Sequence, residues 1–213
     1  MSKSANQEPL LSAHALSTWR GERLLFSNVD FEVSTGDILH IRGTNGSGKT
    51  TLLRMLCGLR PINEGVVKWR GDALPEATAA LREGIAFVGH TDGIKLELTA
   101  LQNAEALTAL RGGAVAMQPT DALTRAGLGT VLNVEGRALS AGQRRRLALS
   151  TLLVRAKRLW ILDEPFTALD HDGTTFAADL MREQASTGGA VIVTSHQELP
   201  KAIGSVCYLD LSA

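Results

Sequence analysis

The sequence predicts an α/β fold with a parallel sheet at its centre and a helical insertion, and three observations support this. Leu159-Trp160-Ile161-Leu162 is a continuous apolar run, as expected for a parallel strand covered on both faces, and Ala190-Val191-Ile192-Val193-Thr194 reads as another buried strand. Helix-textured segments alternate with these and with other short strands, the order that builds a parallel sheet. Between about Thr99 and Leu153, Ala, Leu, Gln, Glu and Arg dominate and β-branched residues thin out, so this block reads as mostly helix.

Taken in order, residues 1–9 read as a flexible tail, and 10–213 as one domain. Residues 10–42 read as short strands broken by the turns Arg20-Gly21-Glu22 and Ser34-Thr35-Gly36-Asp37. Ile38-Leu39-His40-Ile41 is a short strand that runs into a glycine-rich loop and then a helix from Thr50 to Cys57. Gly58 is placed to cap that helix, and Pro61 stops any continuation. Residues 65–69 and 84–88 read as strands. The helical insertion spans about 91–153. Residues 172–186 form the last predicted helix, which Gly188-Gly189 breaks.

Composition excludes several classes of function. The 213 residues carry 22 Lys+Arg against 22 Asp+Glu, and a net charge of zero argues against nucleic acid as a partner. Aromatic residues at 4% are too few for a base-stacking surface. No apolar stretch approaches the roughly 18–20 residues that cross a bilayer, and the N-terminus has no apolar core of the signal-peptide kind. A cytoplasmic protein, or one held at a membrane through another protein, is expected. Cys57 and Cys207 form no Cys-x-x-Cys pair, so both are expected to be small buried side chains in a reducing compartment. The five histidines show no metal-ligand spacing.

Gly43-Thr44-Asn45-Gly46-Ser47-Gly48-Lys49-Thr50 fits G-x-x-x-x-G-K-[ST] between a strand and a helix. Such a loop curls so that successive backbone N–H groups point at phosphate oxygens, and the following helix adds the positive end of its dipole. Lys49 supplies a point charge to the β- and γ-phosphates, and the Thr50 hydroxyl is a ligand for Mg²⁺. The strand 159–162 ends in Asp163-Glu164. Neighbouring parallel strands bring their C-terminal ends to one edge of a sheet, where ligands bind. Asp163 is then placed to hold Mg²⁺ through a water, and Glu164 to orient or deprotonate the water that attacks the γ-phosphate.

With Leu139-Ser140-Ala141-Gly142-Gln143 about 20 residues before Asp163, the set resembles the ATP-binding-cassette ATPases, whose signature reads Leu-Ser-Gly-Gly-Gln. The resemblance covers about residues 10–210. It implies a P-loop NTPase fold: a RecA-like parallel-sheet core, an N-terminal antiparallel β subdomain and an inserted helical subdomain. It implies ATP and Mg²⁺ as cofactors, with Thr51 in the nucleotide-binding set beside 43–50. It also implies a homodimer, in which Ser140, Ala141, Gly142 and Gln143 close over the γ-phosphate held by the opposite protomer. Thr167-Ala168-Leu169-Asp170 resembles the D-loop, with Asp170 communicating across the dimer. His196 matches the switch histidine that bonds the γ-phosphate. Two positions depart from the pattern. His90 stands where many members carry a glutamine that contacts water or Mg²⁺. Arg20 stands where an aromatic residue stacks on adenine, with Trp19 one position early. Either side chain has a plane that stacks on a purine, and alternation along a strand selects one of the two. Arg144-Arg145-Arg146, pointing in different directions on a helix, read as a solvated face with one dimer or phosphate contact.

A narrower resemblance rests on Gly89-His90-Thr91-Asp92-Gly93-Ile94-Lys95, Leu98-Thr99-Ala100-Leu101-Gln102-Asn103, the signature with its Ala141, and Trp160 to Asp170. Together with the short length, these are similar to the ATPase subunit of bacterial haem exporters for c-type cytochrome biogenesis. That implies two copies on the cytoplasmic face of the inner membrane, docked on an integral membrane permease through the region 90–115. ATP closes the dimer and hydrolysis reopens it, driving haem release or delivery through a periplasmic haem chaperone. The chain has no Cys-x-x-Cys-His, so it is not expected to bind haem itself. The alternatives are the ATPase of another small transporter of this class, or a soluble cassette ATPase. The soluble kind needs coiled-coil arms or duplicated cassettes, and the sequence shows neither.

Overall fold

The structure, a computed structural model, describes residues 8–109 and 113–211. Of the expected N-terminal tail, residues 1–7 lie outside the described residues. The elements in chain order are β1 (Leu11–Arg20), β2 (Arg23–Val33), β3 (Ile38–Arg42), α1 (Lys49–Leu56), β4 (Glu64–Trp69), β5 (Asp72–Ala73), α2 (Thr78–Gly84) and β6 (Ile85–Val88). They continue with α3 (Ala100–Ala109), α4 (Pro119–Arg125), α5 (Ala141–Ser150), β7 (Leu159–Asp163), α6 (His171–Ser186), β8 (Ala190–Thr194) and β9 (Cys207–Asp210).

The strands form two sheets. β2-β1-β4-β5 is antiparallel, and β6-β7-β8-β3-β9 is parallel. Of the short strands expected over 10–42, β3 is short, but the two before it are 10 and 11 residues long. Register shifts between Ala13 and Leu16, with Ala15 at φ 48° and Asn28 at φ 51°, mark bulges in the β1–β2 pair. The bulges reset the inside–outside alternation, which is why the sequence looks broken there. Ser17 Oγ accepts a bond from the Asn28 amide, and Asp30 Oδ1 one from the Ala15 amide, so bulge backbone is paired by nearby side chains.

Alternation along β7 explains why the parallel strands are apolar throughout. Leu159 and Ile161 join the core shared by α1 and the antiparallel sheet, while Trp160 and Leu162 join the core under α5 and α6. Helix α1 lies between the sheets and buries Leu52, Leu53, Met55 and Leu56, each contributing roughly 1.5–3 kcal/mol by leaving water. Its end is a Schellman turn: the Gly58 amide donates to Met55 O and the Leu59 amide to Arg54 O, with Gly58 at φ 64°.

The helical block has its own small core of Ala100, Ala104, Leu123, Leu128, Leu139 and Leu147. It is less continuous than its composition suggests, with short α-helices joined by 3₁₀ turns at Gly129–Val131 and Gly136–Ala138. Cys57 is buried, but Cys207 is exposed on β9 at the edge of the parallel sheet, contrary to expectation. Burial pushes the Cys57 thiol up to about 12. The register sets Asp163 beside Thr194, Thr194 beside Ile41 and Leu162 beside Val88, so the loops after β3, β6, β7 and β8 leave from one edge.

Candidate functional site

The loop after β3 is tight enough to require glycine at two points. A Cβ on Gly43 would lie 2.5 Å from Ser47 Oγ and 2.9 Å from Leu211 O. Gly48, at φ 102°, starts α1 in the left-handed region, with Phe26 and Leu25 packed 3.0–3.1 Å from where a Cβ would be. Lys49 is buried, and its Nζ donates to Gly43 O at 2.8 Å and to Thr44 O at 3.4 Å, so its charge is held inside the curl of the loop.

Asp163, 2% exposed at the end of β7, is gripped from both sides. Thr50 Oγ1 donates to its Oδ2 and Thr194 Oγ1 to its Oδ1, both at 2.8 Å. Thr194 also accepts from the Glu164 amide, through Oγ1 at 3.1 Å and through its carbonyl at 3.2 Å. These bonds hold Glu164 at φ 51°, a left-handed conformation that costs a non-glycine residue about 1–3 kcal/mol. The Glu164 carboxylate turns toward β8. Its Oε2 accepts from the His196 amide at 3.1 Å. Its Oε1 lies 3.3 Å from His196 Nε2, yet this buried oxygen has no hydrogen-bond partner.

One cleft of about 330 Å³ gathers Thr44, Asn45, Gly46, Gly48, Lys49, Thr50 and Thr51 with Arg20, His90, Asp163, Glu164 and His196. Of the two adenine-stacking candidates, Arg20 lines this cleft; Trp19 does not, and its carbonyl accepts from Arg60. The donor set of Thr50 hydroxyl and Asp163 carboxylate is hard oxygen, which suits Mg²⁺ completed by phosphate and water. Ser140, Ala141, Gly142 and Gln143 do not line the cleft. Ser140 and Gln143 form a capping box on α5, with Gln143 N to Ser140 Oγ at 3.1 Å and Ser140 N to Gln143 Oε1 at 2.8 Å. Ala141 is exposed, which explains how alanine fits there, whereas a Cβ on Gly142 would lie 2.8 Å from Ala168 O. Asp170 caps α6 through the Gly173 amide at 2.8 Å.

Sequence reasoning missed two residues. Thr194, fully buried, is the hydroxyl that joins Asp163 to Glu164. Arg145 is 3% exposed, not part of a solvated face. It lies a turn or two before the buried Ala148, Leu149 and Leu152, and this inward spacing is the signal that could have found it.

Residues 26–167 match the family described as ABC transporter. The chain is 50% identical over 192 residues to the cytochrome c biogenesis ATP-binding export protein CcmA of Nitrosococcus oceani, covering 90% of this chain and 88% of that one. It is 43% identical to the protein of the same name from Hahella chejuensis, covering 97% and 98%. In fold it is similar to the dimeric structure of a bacterial ABC transporter cassette, with a TM-score of 0.80 at 24% identity over 94% of each chain. The chain belongs to the ABC transporter family of ATP-binding ATPases, within the group of cytochrome c biogenesis ATP-binding export proteins.

Proposed function

We propose that this chain is the ATP-hydrolysing subunit of a haem exporter for c-type cytochrome biogenesis. The observation that carries hydrolysis is the buried Glu164 Oε1, which accepts no hydrogen bond and lies 3.3 Å from His196 Nε2, in the same cleft as the Lys49 loop and the Thr50–Asp163 pair. Backbone amides of 43–51 and the Lys49 ammonium hold the β- and γ-phosphates. Thr50, and Asp163 through a water, would hold Mg²⁺, which neutralises charge on the transferred phosphoryl group. Glu164 Oε1 takes the attacking water, while its Oε2 stays bonded to the His196 amide. The His196 imidazole, exposed at the cleft, contacts the γ-phosphate. His90 orients water in the same cleft, and the Arg20 guanidinium stacks on adenine.

Residues 10–213 act as one ATPase domain with the helical subdomain at about 91–153. The signature helix N-terminus is exposed and lies outside its own chain's cleft, which supports use of Ser140 to Gln143 by a second copy. Asp170 at the D-loop would lie between the two copies. Among the described residues no helix is long and apolar enough to cross a membrane. By its likeness to the cytochrome c biogenesis ATP-binding export proteins, the chain sits at the cytoplasmic face of the inner membrane on an integral permease, docked at 90–115, and a periplasmic haem chaperone takes part beyond it.

Glu164→Gln tests the catalytic reading. Nucleotide binding measured by calorimetry stays within twofold, and steady hydrolysis falls by roughly a hundredfold or more. Wild-type turnover by this variant refutes the role of Glu164. Affinity purification from membranes tests the assembly: an integral subunit co-purifies, and its absence removes the transporter assignment.

A further inference from the structure

Arg145 makes contacts that the ATPase reading leaves without a purpose. Its guanidinium is buried and uses every one of its nitrogens. Nη2 donates to Asp163 O at 2.7 Å and to Glu164 O at 2.9 Å, and Nε donates to Pro165 O at 3.2 Å. Nη1 donates to Gly89 O at 2.8 Å and to Asp92 Oδ1 at 2.9 Å. The five N–H groups of an arginine form a rigid planar fork, so five acceptors met at once fix their mutual positions.

Those acceptors come from two loops, the ones after the neighbouring strands β6 and β7. Three are consecutive carbonyls around the strained Glu164. The other two flank His90, which lines the same cleft as the strained Glu164. The Arg145 backbone is in α5, one turn beyond Ser140. The far end of the 89–98 segment is fixed separately. Asn103, 1% exposed, accepts from the Lys95 amide at 2.7 Å and donates to Lys95 O at 2.9 Å and Leu98 O at 3.0 Å. Among the described residues the segment is thus anchored at Arg145 on one side and Asn103 on the other.

We propose that Arg145 is a positioning residue for hydrolysis: its guanidinium sets the place of Glu164 relative to the His90 loop and the signature helix. Asp92 is its counter-charge and the means by which a shift of the 89–95 loop reaches Glu164. This rests on the reading of Glu164 as the hydrolytic base. The same five bonds satisfy the donors of a buried guanidinium, so the kcat comparison in two backgrounds is what separates positioning from stability. Lysine keeps the charge at this position but offers a single nitrogen, which cannot hold both loops.

The test uses the full-length chain with Arg145→Lys, alone and combined with Glu164→Gln. The expected result is a fall in kcat of at least tenfold, with KM for ATP within twofold. In the Glu164→Gln background the added substitution lowers the residual rate no further, because the group it positions is already disabled. An unchanged kcat overturns the inference, as does a rise in KM matching the loss, or an equal loss in both backgrounds. If Arg145→Lys does not fold, Asp92→Ala carries the same two measurements, at a side chain 22% exposed. Its kcat falls with KM fixed, or the inference fails. The two readings fail differently. A fully active Glu164→Gln refutes the catalytic assignment, whereas a dead Glu164→Gln beside a fully active Arg145→Lys refutes only the positioning role.

Discussion

His40 shows how a single buried side chain ties stability to pH beside the site. It sits in β3, 1% exposed, with Nε2 3.4 Å from Ser195 O, and its Nδ1 has no partner. Burial lowers its pKa from the ordinary 6.5, opposed by the Ser195 carbonyl; Arg42 lowers it further, while Glu164 and Asp210 raise it. The fold therefore favours the neutral ring. Its contribution is complete above pH 6.5 and is lost as pH falls from there through the lower folded value. The urea midpoint of the wild type should drop between pH 7.5 and 5.5, and the drop should be smaller in His40→Gln. Equal drops in the two proteins would show that other groups carry the pH dependence. Lys49 offers a second residue-scale prediction. Losing a charge-assisted bond costs roughly 1.5–3 kcal/mol, so Lys49→Ala should weaken ATP binding by tenfold to about a hundredfold, read by calorimetry. Lys49, Thr50 and Asp163 were legible in the sequence because their chemistry is local: a fixed loop spacing and an acid at a strand end. Arg145 was not, because its acceptors lie 18–20 and 53–56 positions away and only the fold brings them to it.

Among the elements, α2 was invisible in the sequence, and packing explains both why and what it does. It has seven residues, too few to display a helical repeat, and only Leu81 is buried along it. It ends at Gly84, where the expected strand begins one residue late, at Ile85. A Cβ on Gly84 would lie 2.2 Å from Cζ2 of Trp69, whose ring is itself 4% exposed on β4. Two effects oppose each other in Gly84→Ala. Helix propensity gains up to about 1 kcal/mol, and overpacking against a confined ring costs about 1–3 kcal/mol. Packing should win, because Trp69 has no free space to enter, so the urea midpoint should fall with the slope unchanged. A stabilised variant would mean that the indole shifts at little cost. The length of β1 and β2 was hidden for a related reason, since their alternation changes phase at Ala15 and Asn28. Strands buried on both faces, such as β7 and β8, were plain because every position before the last is apolar and no phase is needed.

For the whole molecule, the three cores explain why the phosphate loop and the signature lie apart in one chain. The two cores on either side of the parallel sheet fix the loops after β3, β6, β7 and β8 into one cleft. The third core, in the helical block, presents Ser140 and Ala141 at an exposed surface away from that cleft. Phe176 of α6 packs against both the helical core and the core beneath α5 and α6, so the block is seated on the parallel-sheet core. A chain so built has one phosphate loop and one signature that do not meet within it. Two-fold pairing would form two equivalent sites, each with the loop of one copy and the signature of the other. Two defective variants should then rescue each other. Lys49→Ala disables the loop. Ser140→Arg blocks the signature, losing a helix cap worth about 1 kcal/mol while its own cleft stays intact. Each variant alone should hydrolyse ATP at background rate. Mixed in equal amounts, they should recover roughly a quarter of wild-type activity if pairing is random and sites are independent. In the mixed dimer, the loop of the Ser140→Arg chain meets the intact signature of the Lys49→Ala chain. Ser140→Arg alone should still bind ATP with wild-type affinity, which separates a blocked partner surface from a damaged cleft. A mixture that stays at background, or full activity in Ser140→Arg alone, would place the signature outside the catalytic site.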